Sequence, residues 1–122
     1  MSAERRKNRS HEKYRAIDLQ FEALRNQGGF QHIALADSDG MLLGASGDQR
    51  ACEELGFRAA SKCQEIPEAA LSKWRVDGDV AVRPIDRQGS RLYLGVAGAK
   101  IEADRMRAIA ESVERIFDGH GH

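Results

Sequence analysis

The sequence predicts a single α+β domain in which helices cover one antiparallel sheet. Three segments carry apolar residues at helical spacing, several shorter segments alternate between apolar and polar residues, and turn residues join the shorter segments in pairs. With 122 residues, 41% of them hydrophobic and 31% charged, the chain has the length and composition of one globular domain. Amphipathic helices and paired strands bury each other most simply as helices packed on a sheet.

The first predicted helix runs from Ser10 to Gln27. Its apolar residues recur at intervals of three and four and form one stripe: Tyr14, Ile17, Phe21 and Leu24. Ser10 has the chemistry of an N-cap, and Gly28-Gly29 supplies the stop because glycine readily takes the left-handed conformation. Residues 1–9 are predicted to be a flexible arm outside the domain.

The N-terminal segment is basic although the chain as a whole is neutral. Six basic residues and two acidic ones lie between Met1 and Arg15, whereas the chain has 19 of each sign. We interpret the segment as a solvated tail; the alternative is a basic arm for an acidic partner, an anionic lipid surface or nucleic acid. The neutral chain argues against a nucleic-acid-binding domain, so no nucleic acid is expected as a partner.

A hairpin follows the first helix. His32–Asp37 and Met41–Ser46 are predicted strands, joined by Asp37-Ser38-Asp39-Gly40. Aspartate side chains bond the local backbone and glycine accepts a positive φ, so this tetrapeptide has strong turn chemistry.

The second predicted helix is capped by Asp48 and runs to about Glu65. Its apolar stripe is widened by Phe57 and Ala60 and consists of Cys52, Leu55, Ala59, Cys63 and Ile66. Two cysteines three turns apart cannot bridge each other and are predicted to be small buried residues. Gly56 has two interpretations: it allows another element to approach closely, or it avoids a clash within the core of the monomer.

Three further strands and a closing helix complete the prediction. The strands are Trp74–Val76, Asp79–Ile85 and Arg91–Gly98, and the segment Pro67–Ser72 is expected to form one short turn. Pro84 indicates an edge position or the end of its strand. The last helix is predicted from Glu102 to Phe117. The domain is therefore expected to span residues 10–118, with the order αββαβββα, a five-stranded sheet and a flexible tail at residues 119–122.

The chain lacks the sequence patterns of common catalytic sites. It has no phosphate-binding loop, no zinc-ligand spacing and no nucleophile elbow, and the turn at Asp37 lacks the later ligands of a calcium loop. We therefore expect no enzyme activity, no cofactor and no metal. With no signal sequence and no apolar stretch of membrane-spanning length, a cytoplasmic protein without stable membrane insertion is expected.

The hairpin and second helix resemble a known family. The segment from Phe30 to Leu55, FQHIALADSDGMLLGASGDQRACEEL, is similar to the corresponding part of roadblock domains, the dynein light chain roadblock family, with Asp37, Asp39 and Gly40 in the turn. The resemblance covers roughly residues 13 to 117, and related sheets occur in longin, profilin and GAF-type domains.

This resemblance implies a homodimer in which two sheets join edge to edge and the second helices pack together. It implies a non-enzymatic module or scaffold that binds and regulates a Ras-like small GTPase, in bacterial relatives one of cell polarity or gliding motility. The expected partner-binding residues are exposed on the second helix: Arg50, Glu54, Arg58 and Lys62. The expected dimer residues are Leu55, Gly56, Ala59, Val80 and Val82.

Two alternatives remain open at the level of sequence. A small-molecule sensor of the GAF or PAS type would have an apolar cavity between sheet and helix. The small residues Ala34, Ala36, Gly95 and Ala97 favour close packing over a large cavity. The second alternative is an adaptor for another roadblock protein that is independent of nucleotide.

Overall fold

The computed structural model of this chain describes residues 2–27, 29–64, 74–87, 90–98 and 103–118. The elements follow in this order: α1 (Ser2–Asn26), β1 (His32–Ala36), β2 (Leu42–Ser46), α2 (Gln49–Gln64), β3 (Arg75–Asp77), β4 (Val80–Arg87), β5 (Ser90–Ala97) and α3 (Ala103–Phe117). The predicted turn at Pro67–Ser72 and the tail at residues 119–122 lie outside the described residues.

The strands form one antiparallel sheet in the order β2-β1-β5-β4-β3. Helices α1 and α3 lie on one face of this sheet and α2 lies on the other. The α+β class, with helices covering an antiparallel sheet, is thus confirmed.

The larger part of the core lies between the sheet and the α1/α3 layer. It is built from the apolar stripes of both helices and from the residues of β1, β4 and β5 that face them; its most deeply buried members are Ile17, Phe21, Ile33, Leu35, Leu94, Val96, Ile109 and Val113. The ring of Tyr14 meets that of Phe117 edge-on at 6.3 Å, which joins α1 to the end of α3. The apolar stripe predicted for the first helix is thus confirmed.

Strand β5 faces the α1/α3 layer with one side and α2 with the other. Leu92, Leu94 and Val96 point into the α1/α3 layer. Gly95 lies on the opposite face, where a Cβ atom would be 3.0 Å from Leu55 Cγ and 3.3 Å from Ala59 Cβ of α2. Small residues therefore let α2 sit close to the middle of the sheet.

The hairpin between β1 and β2 forms as predicted. Asp37 Oδ1 accepts hydrogen bonds from the backbone N–H of Asp39 at 2.9 Å and of Met41 at 3.0 Å. The N–H of Gly40 donates to the carbonyl of Asp37, and Gly40 takes a φ of +83°. One aspartate side chain and one glycine thus close the turn.

Helix α1 is longer than predicted, and the expected start at Ser10 is wrong. The helix begins at Ser2, so residues 2–9 continue it. The segment contains no glycine or proline before the C-terminal end of the helix and is rich in arginine, lysine and glutamate, which are good helix formers. A serine that could act as an N-cap, such as Ser10, does not mark the start of a helix when the residues before it are themselves good helix formers.

The expected edge position of the strand around Val80 and Val82 is also wrong. β4 lies between β5 and β3, and β3 is the strand at that end of the described sheet. β3 pairs only with residues 80–82, so Pro84 lies beyond the end of that pairing. Its missing N–H therefore costs no ladder bond to β3, which is why a proline is accepted in a strand with neighbours on both sides.

Candidate interaction surface

Helix α2 is the only helix that the structure describes on its face of the sheet, and its first turn is fixed by a small polar cluster. Asp48 Oδ2 accepts the N–H of Ala51 at 3.0 Å, which confirms the predicted N-cap. The N–H of Asp48 donates to Nδ1 of His32 at 3.3 Å. Gly47, with a φ of +126°, lies so close to His32 that a Cβ atom would be 2.5 Å from that nitrogen. These contacts set the direction in which α2 leaves the sheet.

The inner side of α2 is buried against the sheet of its own chain. This side contains Cys52, Leu55, Gly56, Ala59, Ala60 and Cys63. At Gly56 a Cβ atom would lie 2.8 Å from Leu42 Cδ2 and 3.2 Å from Ala36 Cβ. The structure therefore supports the second interpretation of Gly56, in which glycine avoids a clash within the core of the monomer.

Most of the residues expected at a dimer interface are thus buried within their own chain. Leu55, Gly56 and Ala59 face the sheet, and Val82 is buried beneath the end of α2. Val80 is half-buried and packs against both clusters under the helix. A partner subunit would meet the exposed residues beside this set.

The outer side of α2 carries the residues expected to bind a partner. Arg50, Glu54, Arg58 and Lys62 are all exposed and follow one another at intervals of four, so they form one charged stripe. The structure thus places these four side chains at the surface together.

An apolar patch beside the charged stripe was not predicted. Phe57 is 63% exposed and Met41 is 65% exposed. The Phe57 ring lies against the hairpin turn, where a Cβ atom on Gly40 would be 3.0 Å from its Cδ2. The prediction that Phe57 widens the buried stripe is therefore wrong. Two large apolar side chains are therefore exposed where α2 meets the hairpin.

Strand β3 adds a second exposed feature. It ends the strand order of the described sheet, and Val76 in its middle is 57% exposed. Edge strands present backbone groups that can pair with another chain.

A shallow cavity of about 310 Å³ lies at the end of the α1/α3 layer. It is lined by Leu24, Gln27, Phe30, Asp104, Arg105 and Ala108. Arg105 Nη1 donates to the carbonyl of Gln27 at its rim, at 3.1 Å. The side chains of Asp104 and Arg105 in its wall make it less apolar than the cavity expected for a small-molecule sensor.

The groups that could take part in chemistry are dispersed. Among the described residues, no group of three or more His, Cys, Asp and Glu side chains could hold a metal ion. Cys52 and Cys63 are free and buried, as predicted. Burial raises the pKa of the Cys52 thiol, which makes it a poorer nucleophile at neutral pH. No helix in the described part of the chain is long and apolar enough to cross a membrane.

The described chain thus exposes a charged and apolar surface on one helix and a strand at the end of the sheet. Comparison with solved structures gives the fold a name. MglB of Myxococcus xanthus matches with a TM-score of 0.62 and 11% identity over 87% of this chain and 90% of that chain. The gliding protein MglB of Thermus thermophilus matches with a TM-score of 0.61 and 13% identity over 88% of this chain and 92% of that chain.

A roadblock/LC7 domain from Streptomyces avermitilis matches with a TM-score of 0.58 and 12% identity, over 84% of this chain and 92% of that chain. No protein-family model matches the sequence. No curated protein matches it either. The chain thus has the roadblock fold, and the resemblance inferred from its hairpin and second helix is confirmed at the level of the fold.

Proposed function

We propose that this chain is a non-enzymatic, dimeric module that binds and regulates a Ras-like small GTPase, as an activating protein or a scaffold. The observation that carries the proposal is the outer side of α2, where Arg50, Glu54, Arg58 and Lys62 are exposed together with Phe57. The fold likeness to MglB and roadblock structures supports it. One of these structures is a gliding protein, which favours a role in motility or polarity.

The chemistry of α2 suits such a partner. A charged stripe beside an exposed aromatic residue can combine an apolar contact with electrostatic selection of its partner. Arg58 is adjacent to Phe57 in the chain, so a partner that covers the ring also approaches the guanidinium. Replacing Arg58 with glutamate reverses its charge. The glutamate would repel an acidic partner surface without disturbing the buried side of the helix.

The test is binding of a Ras-like GTPase encoded beside this gene, loaded with GDP or with a non-hydrolysable GTP analogue. We expect nucleotide-dependent binding, weakened at least about tenfold by Arg58→Glu. Arg107→Glu is the matched control, because Arg107 is equally charged and exposed but lies on α3, on the opposite face of the sheet.

The outcomes separate the candidate functions. Binding that ignores the bound nucleotide would support the adaptor alternative instead. Absence of binding in both nucleotide states, or equal loss with both variants, would contradict the proposed surface. The small-molecule alternative predicts thermal stabilisation by a metabolite, whereas the proposed function predicts none.

A further inference from the structure

The two ends of the sheet differ in how their backbone groups are used. β2 ends one side of the sheet and β3 ends the other. Every edge strand is a template for pairing with another chain, so a protein that assembles through one edge must close the other. In this structure a side chain of α1 binds a backbone N–H of β2, which closes that edge to pairing.

The contact is made by Asp18, an exposed residue of α1. Its Oδ1 accepts the backbone N–H of Ala45, the second-last residue of β2, at 2.7 Å. This is a short bond to a charged acceptor, the stronger kind of hydrogen bond. The Ala45 N–H is therefore already bound and is not available to an incoming strand.

Two neighbouring contacts hold α1 in this position. A Cβ atom on Gly44 would lie 2.6 Å from Ile17 Cγ2 and 3.3 Å from Asp18 Oδ1, so only glycine lets the helix come this close. Two turns further along, Arg25 Nε donates to Ser46 Oγ at 3.0 Å. The helix thus follows the strand from Gly44 to Ser46.

The other edge is formed by β3. Val76 of β3 is 57% exposed. β2 has no charged side chain of its own to deter pairing, so what blocks its edge in this structure is the contact with α1.

We propose that Asp18 determines which edge of the sheet accepts a second copy of this chain. By binding the Ala45 N–H it closes β2, so that sheet extension takes place at β3 alone. This rests on the proposed self-association. Loss of the Asp18 acceptor exposes a second pairing edge, and two pairing edges on one chain give open-ended assemblies in place of a closed dimer.

The experiment compares the mass in solution of the wild type and three variants over a range of concentrations. Asp18→Ala removes the acceptor while favouring the helix, and we expect assemblies of roughly twice the dimer mass or more, growing with concentration. Asp18→Asn keeps an acceptor oxygen and is expected to keep the wild-type mass. Glu22→Ala, an exposed carboxylate one turn later on the same helix, is the matched control.

Hydrogen exchange at the Ala45 amide provides a readout that does not depend on assembly. We expect slow exchange in the wild type and exchange faster by about tenfold or more in Asp18→Ala. Adding Ala45→Pro to Asp18→Ala removes the donor itself and should restore the wild-type mass.

Three results would overturn the proposal. The first is an unprotected Ala45 amide in the wild type. The second is faster exchange in Asp18→Ala with no change of mass, which would make the contact purely local. The third is large assemblies that persist with Ala45→Pro. A monomeric wild type would contradict the proposed dimer, and the role of Asp18 would still be tested by whether Asp18→Ala associates.

Discussion

Cys52 lies where α2 meets the end of β2, with its thiol enclosed by both elements. The Sγ atom lies 3.4 Å from the carbonyl oxygen of Ser46, to which the thiol can donate a weak hydrogen bond. Burial raises its pKa above the usual value of 9.0, and the nearby Asp48 carboxylate acts in the same direction. The folded chain therefore holds this proton more tightly than the unfolded chain.

The sign of this shift gives a pH dependence. The stabilisation is fully present below the unfolded pKa of about 9 and is lost as pH rises above it, because the unfolded thiol ionises first. Between about pH 7 and about pH 10, the wild type should lose more free energy of unfolding than Cys52→Ala, as measured by urea denaturation. An equal loss in both proteins would show that the thiol does not titrate differently on folding.

At the scale of single residues, the sequence predicts burial well only where a side chain lies at the centre of a stripe. Cys52 and Ala59 are such residues and are buried. Phe57 lies at the margin of the same stripe, and its exposure depends on which flank of α2 rests on the hairpin. Asp18 gave no signal, because its acceptor role depends on a strand far away in sequence.

The turn of the β1–β2 hairpin contains two aspartates, and one of them makes the hydrogen bonds that stabilise it. Asp37 and Asp39 both fit the turn chemistry, but in the structure only Asp37 accepts backbone hydrogen bonds with its carboxylate. Asp37→Ala should lower the free energy of unfolding by about 1 kcal/mol, since two backbone donors lose their acceptor. Thermal or urea unfolding measures this change.

Asp39→Ala is the matched control for the turn, with an expected change within about 0.5 kcal/mol. Similar losses in the two variants would mean that the carboxylates act through their charge rather than through the bonds of Asp37.

The boundaries of elements proved harder to predict than their existence. The strands and helices of the described chain were each expected, because periodicity is local. The start of α1 and the neighbours of β4 were not, since helix extension into a polar segment and strand order depend on competing contacts elsewhere. Pro84 marks the point where β4 stops pairing with β3. A proline in a strand therefore does not by itself show that the strand lies at the edge of the sheet.

In the whole molecule, the two faces and the two edges of the sheet have different surroundings. The α1/α3 layer encloses the larger core, α2 presents a charged and apolar outer side, and α1 closes β2 through Asp18. The likeness to MglB and roadblock structures extends to the fold. Among the described residues, the outer side of α2 and the strand β3 are the surfaces to which we assign association.

Self-association through β3 can be tested with two residues of nearly equal exposure. Val76 on β3 is 57% exposed and Leu19 on α1 is 58% exposed. We expect a wild-type dimer that Val76→Glu converts to monomer, because a charge in the paired edge would be buried without a partner. Leu19→Glu makes the same change of charge on α1, away from the backbone edge of β3, and should leave the dimer intact. Light scattering after size exclusion measures the masses, and a wild-type monomer or a Val76→Glu dimer would contradict association through this edge.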